Sequence, residues 1–99
     1  MAAVIDEDRL HHIFRNAEGH FPKDTLANRE VLIAVTGRPE NFLGADRYGN
    51  GWWAELRADR TQIWVQVREG RITNGGVNIS PRRFDLPQST RDSVQGARR

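Results

Sequence analysis

The clearest pattern in this chain lies at Thr61–Arg68, where Ile63, Val65 and Val67 alternate with Trp64, Gln66 and Arg68. A period of two puts successive side chains on opposite faces, so the stretch predicts a strand with one apolar and one polar face. Glu69-Gly70 follows as a two-residue hairpin signal. Arg71–Ile79 predicts the returning strand, with Gly75-Gly76 marking a bulge or a close backbone approach. Upstream, Trp52–Arg57 predicts a strand joined to the first through the turn Ala58-Asp59-Arg60. The run from Pro39 to Gly51 is dense in turn residues, with Phe42, Leu43 and Tyr48 as anchors and a short strand near 42–44.

The front third changes period. Ile5, Leu10, Ile13 and Phe14 recur at near-helical spacing behind Asp6, Glu7 and Asp8, so 6–16 predicts an amphipathic helix. Gly19 and Pro22 make a loop of Asn16–Lys23. Asp24 or Thr25 caps a second helix over 25–36, whose stripe is Leu26, Val31, Leu32 and Val35; Thr36-Gly37 and Pro39 end it. Helices followed by strands predict an α+β domain: two N-terminal helices packed on a three- to four-stranded antiparallel β-meander. Ile63, Val65 and Val67 face the helices, and Trp64, Gln66 and Arg68 face out. The domain spans 5–86, and 87–99 is expected to be a disordered basic tail.

Composition narrows the chemistry. There is no cysteine, which removes disulfides, thiolate metal sites and cysteine nucleophiles. No run of eighteen apolar residues and no signal peptide is present, so a soluble chain with no membrane partner is expected. The net charge is +2. Arginines 82, 83, 91, 98 and 99 outweigh Asp85 and Asp92 by three, which leaves about −1 for the remainder. Fourteen of the fifteen cationic side chains are Arg, whose planar fork suits phosphate.

The candidate chemistry is imidazole-based. His12 and His20 are eight residues apart across a glycine loop, close enough to converge, whereas His11 points about 100° from His12 on a helix. With three His in the chain and no His-x3-His pair, no metal site is expected. Imidazole exchanges protons near neutral pH, so two of them can serve as base and acid in phosphodiester cleavage without a metal or cofactor. Arg68 and Arg82 are candidate phosphate clamps, Thr61 and Ser80 candidate donors to phosphate oxygens. Asn74 and Asn78 flank a Gly-Gly that can form an anion nest. Trp52 and Trp53 must point to opposite faces, one into the core and one outward. The substrate-binding set takes Trp53 and Trp64 as base-stacking residues, with Arg68, Asn74 and Asn78.

These features resemble the barnase–EndoU–colicin–RelE superfamily of small ribonucleases, and within it the C-terminal toxin domains of bacterial polymorphic and contact-dependent inhibition systems. The resemblance rests on His12-Ile13, Gly19-His20-Phe21, Asn28-Arg29, Pro39–Gly44, Asp46–Asn50, Thr61–Arg68 and Asn74–Asn78. It implies a helical-side catalytic pair at His12 and His20 and a strand-side group at Thr61, Asn78, Ser80 and Arg82. It further implies RNA as substrate, a small acidic immunity protein as partner, a monomer, and action in the cytoplasm after delivery within a longer secreted protein. Two other readings compete with it. One is a non-catalytic RNA- or protein-binding module of the same fold; the other is an interaction domain of a phage or secretion structure.

Overall fold

In the computed structural model, which describes residues 2–86, the alternating stretch forms the central strand of a mixed five-stranded sheet. The strands are β1 (Val4–Ile5), β2 (Phe42–Ala45), β3 (Gly51–Leu56), β4 (Gln62–Arg68) and β5 (Arg71–Asn78). Their order across the sheet is β1-β5-β4-β3-β2, antiparallel throughout except that β1 runs parallel to β5. The expected three- to four-stranded antiparallel meander is therefore corrected to a mixed sheet. The missing strand was β1: two residues are too few to show a period of two. The expected tail at 87–99 lies outside the described residues.

Turn chemistry sets the register. Glu69 and Gly70 both have positive φ, 52° and 77°, as the hairpin between β4 and β5 requires for its twist. Between β3 and β4, Arg57 pairs with Thr61 and Arg60 takes a left-handed φ of 70°. That three-residue turn places Trp53 opposite Val65 and Trp52 opposite Gln66. The ladder irregularity expected at Gly75-Gly76 lies instead beside Thr73, where Gln66 pairs with Asn74 but Val67 pairs with Ile72.

One face of the sheet is covered by α2 (Leu26–Thr36), capped at its N-terminus by Thr25, whose Oγ1 accepts from the Asn28 amide. Leu32 and Val35 meet Ile63, Val65 and Ile72 there. With Ile13 these are the most deeply buried side chains, and burial of each stabilises the fold by about 2 kcal/mol. Buried Asn41 donates to the Val35 carbonyl and to Glu55 Oε1, which Arg38 also grips, tying the end of α2 to β3. At the other end, Arg29 forks onto Asp24 at 2.6 and 2.7 Å and reaches Glu7 at 2.8 Å.

The predicted helix over 6–16 is shorter than expected. A 3-10 turn at Glu7–Arg9 leads into α1 (Leu10–Ile13), and Phe14 is already extended. Phe14 bridges to Phe21. The apolar residues there serve two purposes that helical spacing alone conflates: Ile13 and Phe14 both enter the core. The chain from α1 to His20 then follows the part of β5 that β1 leaves unpaired, and the Val77 amide donates to the Gly19 carbonyl at 3.0 Å. Among the described residues no helix is long and apolar enough to cross a membrane.

Candidate functional site

The face of the sheet opposite α2 carries Gln62, Trp64, Gln66 and Arg68 from β4, with Trp52 and Ala54 from β3 and Asn74, Gly76 and Asn78 from β5 beside them. The half-buried indoles of Trp52 and Trp64 stack with centroids 6.0 Å apart and planes at 24°. Phe84 packs on Trp52 at 5.6 Å. The outward tryptophan of the pair is thus Trp52, and the assignment of Trp53 to substrate binding is corrected. Trp53 shares the face of its partner Val65, packs against the core and touches Phe42 at 5.0 Å. The three-residue turn at Ala58–Arg60 was the signal that decides this: counting back from Arg57 opposite Thr61 puts Trp53 opposite Val65.

Gly76 brings His20 onto this face. A Cβ at Gly76 would lie 1.9 Å from the Gly19 carbonyl oxygen and 2.8 Å from His20 Cα. The absent side chain lets the Gly19-His20 turn fold over the sheet. Gly19, at φ 85°, accepts from Trp64 Nε1 at 2.8 Å as well as from Val77. His20 then meets Trp64 edge-on at 5.4 Å. Of the two alternatives at Gly75-Gly76, close backbone approach is the one realised.

The hydrogen-bond partners of His20 fix its tautomer. Nδ1 lies 3.0 Å from the Ile13 carbonyl, which can only accept, so Nδ1 carries the hydrogen. Nε2 lies 3.1 Å from Arg15 Nη2, which can only donate, so Nε2 presents its lone pair. The ring borders a hollow of about 270 Å³ with Trp52, Trp64, Asn78, Arg82, Phe84 and Glu18. Glu18 pairs with Arg82 at 3.1 Å, with the two side chains 88% and 64% exposed. A pair so exposed contributes little, so Arg82 can leave Glu18 for another anion. Ser80 is exposed on the adjoining rim, beside Asn78 and Arg82. Glu18 was not foreseen, since one exposed loop carboxylate has no sequence signature.

A strap from Ile79 to Leu86 returns over the end of this face. Gln62 holds it by both ends of its carboxamide: Nε2 donates to the Arg82 carbonyl at 3.0 Å, and Oε1 accepts from the Arg82 amide at 2.9 Å. Asn78 Nδ2 donates to the same Oε1 at 2.9 Å. Asn78 is therefore a buried brace for the strap.

His12 does not join His20. It borders a second hollow of about 300 Å³ on the same face, with Arg9, Asn50, Gln66, Arg68, Thr73 and Asn74. The expected convergence fails because α1 ends one residue later, at Ile13, and the chain turns extended along β5. Partial loss of hydration, then the charges of His11, Arg9 and Arg15, hold the His12 imidazole below its ordinary pKa. Thr61 belongs to neither hollow. Its hydroxyl donates to Asp59 within the β3–β4 turn, which draws the Asp59 carboxyl below the usual range.

The open face is held at its far end by Asp46. Partial burial pushes its carboxyl up, but donors from Trp52 Nε1, Asn50 and Tyr48 outweigh this and bring it down to about 2. The Trp52 contact is 3.0 Å, so the carboxylate also fixes the indole in the stack. Among the described residues no group of three or more His, Asp or Glu is arranged to hold a metal ion. Comparison with known proteins found no matching family model, no matching curated protein and no matching solved structure.

Proposed function

We propose that the open face binds single-stranded RNA and that the hollow at His20 cleaves it without a metal ion, as a ribonuclease toxin domain does. The observation that carries this reading is the His20 ring, with Nδ1 committed to a backbone carbonyl and the Nε2 lone pair flanked by an arginine and an indole. Trp52, Trp64 and Phe84 make an aromatic platform, and base stacking on such side chains contributes about 1–3 kcal/mol per base. Arg82, once released from Glu18, offers a fork to a phosphate.

In the reaction Nε2 of His20 takes the proton of the ribose 2′-OH. O2′ bonds to the neighbouring phosphorus, and the bond from phosphorus to O5′ breaks. O5′ takes a proton from water, and the imidazolium passes its own to the hydroxide left behind. The products are a 2′,3′-cyclic phosphate and a 5′-hydroxyl. Arg82, and Arg15 once it turns from Nε2, offset the charge on the phosphorane oxygens. His12 and Thr61 take no part in this step. A small acidic immunity partner and a monomeric state belong to the same proposal. Arg15, Arg82 and Arg83 around the aromatic platform support an acidic partner, because their potential would steer one onto the face.

The second reading, a non-catalytic RNA- or protein-binding module, is favoured by one observation: the two imidazoles expected to act together line different hollows. Purified protein incubated with single-stranded RNA in EDTA separates the two. Cyclic-phosphate ends that disappear in His20→Ala and in His20→Gln, with RNA still bound, support the nuclease. Intact RNA bound with a steep salt dependence supports the module. RNA that is neither cut nor bound refutes the nuclease and the RNA-binding form of the module, and leaves a protein as the module's partner.

A further inference from the structure

The hollow at His12 has no task in that reaction, yet its lining is not that of an idle surface. Arg9 comes from the 3-10 turn, His12 from α1 and Arg68 from the end of β4, so three separate elements bring two guanidinium groups and an imidazole to one space. None of the side chains bordering it is a carboxylate. Among the described residues neither Arg9 nor Arg68 makes an ion pair. Asn74 accepts the Gly75 amide on Oδ1 at 3.0 Å, which leaves its NH2 to donate outward. Behind the lining residue Asn50, Asp46 has its oxygens engaged by Trp52, Asn50 and Tyr48.

We propose that this hollow is a binding site for a phosphate group, held by Arg9, Arg68 and His12 with Asn74 as a neutral donor. Arg supplies the fork that matches phosphate oxygens. The His11 ring lies tilted against His12, with centroids 4.3 Å apart. Loss of hydration and then the charges of His11, Arg9 and Arg15 hold the His12 ring below its ordinary pKa, and an anion bound beside the ring opposes the part due to charge. Two sources can supply the group. One is the terminal phosphate of a nucleotide. The other is a backbone phosphate of the RNA strand, which rests on the reading above. Along β4, Trp64 and Arg68 are four residues apart, about 13 Å, so one strand can cross the aromatic platform and reach this hollow.

The test follows the His12 ring by NMR through a pH titration of the full chain. In inorganic phosphate the His12 midpoint rises by about one unit relative to chloride at matched ionic strength. The Arg9→Gln/Arg68→Gln double variant, whose changes are both on exposed side chains, weakens this response about tenfold while the melting temperature is kept. A midpoint equal in phosphate and chloride overturns the proposal, and so does a rise that survives in the double variant. Oligoribonucleotides distinguish the sources. A shift of His12 by an unphosphorylated strand assigns the site to the backbone, and a shift by the 5′-phosphorylated strand alone assigns it to a terminal phosphate. A response to inorganic phosphate with none to either strand keeps the site and removes RNA as its occupant.

Discussion

The two faces of the sheet are built by different means. Under α2 the packing is dry: Leu32, Val65 and Ile72 are 0% exposed and Val35 and Ile63 1%, and alternation along one strand brings most of it about. The opposite face is half-buried and polar, and no single stretch of sequence builds it. It needs Gly19 and His20 from the front, Trp52 and Trp64 from the middle, and Arg82 and Phe84 from the end. A core face can be specified by period alone, because any apolar side chain of suitable volume serves there. The open polar face requires individual atoms from distant segments to meet, and the devices that bring them together here are two missing side chains, Gly19 and Gly76, and one bridging carboxamide, Gln62.

The largest way to break the contrast is on the dry side. Leu32→Ala leaves a cavity against β4 and β5 and should cost about 3–4 kcal/mol, read as a lowered urea midpoint, with the proposed RNA binding unchanged in the folded fraction. Gly76→Ala attacks the other side. Its Cβ cannot coexist with the Gly19 carbonyl, so the turn must lift off the sheet or the fold lose about 2–3 kcal/mol. The expected signature is loss of the Trp64 indole hydrogen bond in NMR together with loss of the proposed RNA cleavage. A Gly76→Ala protein with an unshifted indole signal would show that the close approach does not position His20.

The smallest expected effect sharpens the comparison through pH. Asp46 titrates at about 2 in the fold, below its unfolded value, so its contribution is complete above about pH 4 and fades as pH falls toward 2. Solvent screening reduces it to about 1 kcal/mol. Urea midpoints measured between pH 5 and pH 2 should fall more steeply for the wild type than for Asp46→Asn, and the fall should accompany loss of Trp52 ordering. Equal slopes would mean that the carboxylate does not hold the aromatic stack.

The same division explains what was legible in the sequence. The central strand, the Glu69-Gly70 hairpin and the Thr25-capped helix were readable because each is decided by neighbours along the chain. β1 was not, since its two residues become a strand only by docking beside Arg71 and Ile72. The first helix was overextended because Ile13 and Phe14 look helical by spacing although the chain straightens between them. The site was legible as a list of residues more than as an arrangement. His20, Trp64, Asn78 and Arg82 do border one hollow. His12, Arg68 and Asn74 border another, Trp53 faces the core, and Thr61 is spent on its own turn. The parity of Trp52 and Trp53 was recoverable from turn length. The separation of the two imidazoles was not, because it depends on where a short helix stops.

The parallel docking of β1 on β5, and the seat that β5 provides for Gly19, give the chain a temporal order. As it leaves the ribosome, its first residues wait for partners that emerge more than fifty positions later. Pairings so distant in sequence are slow to form. The histidine loop stays unassembled until β5 has been made, so the open face takes shape late, only once segments far apart in the chain have met.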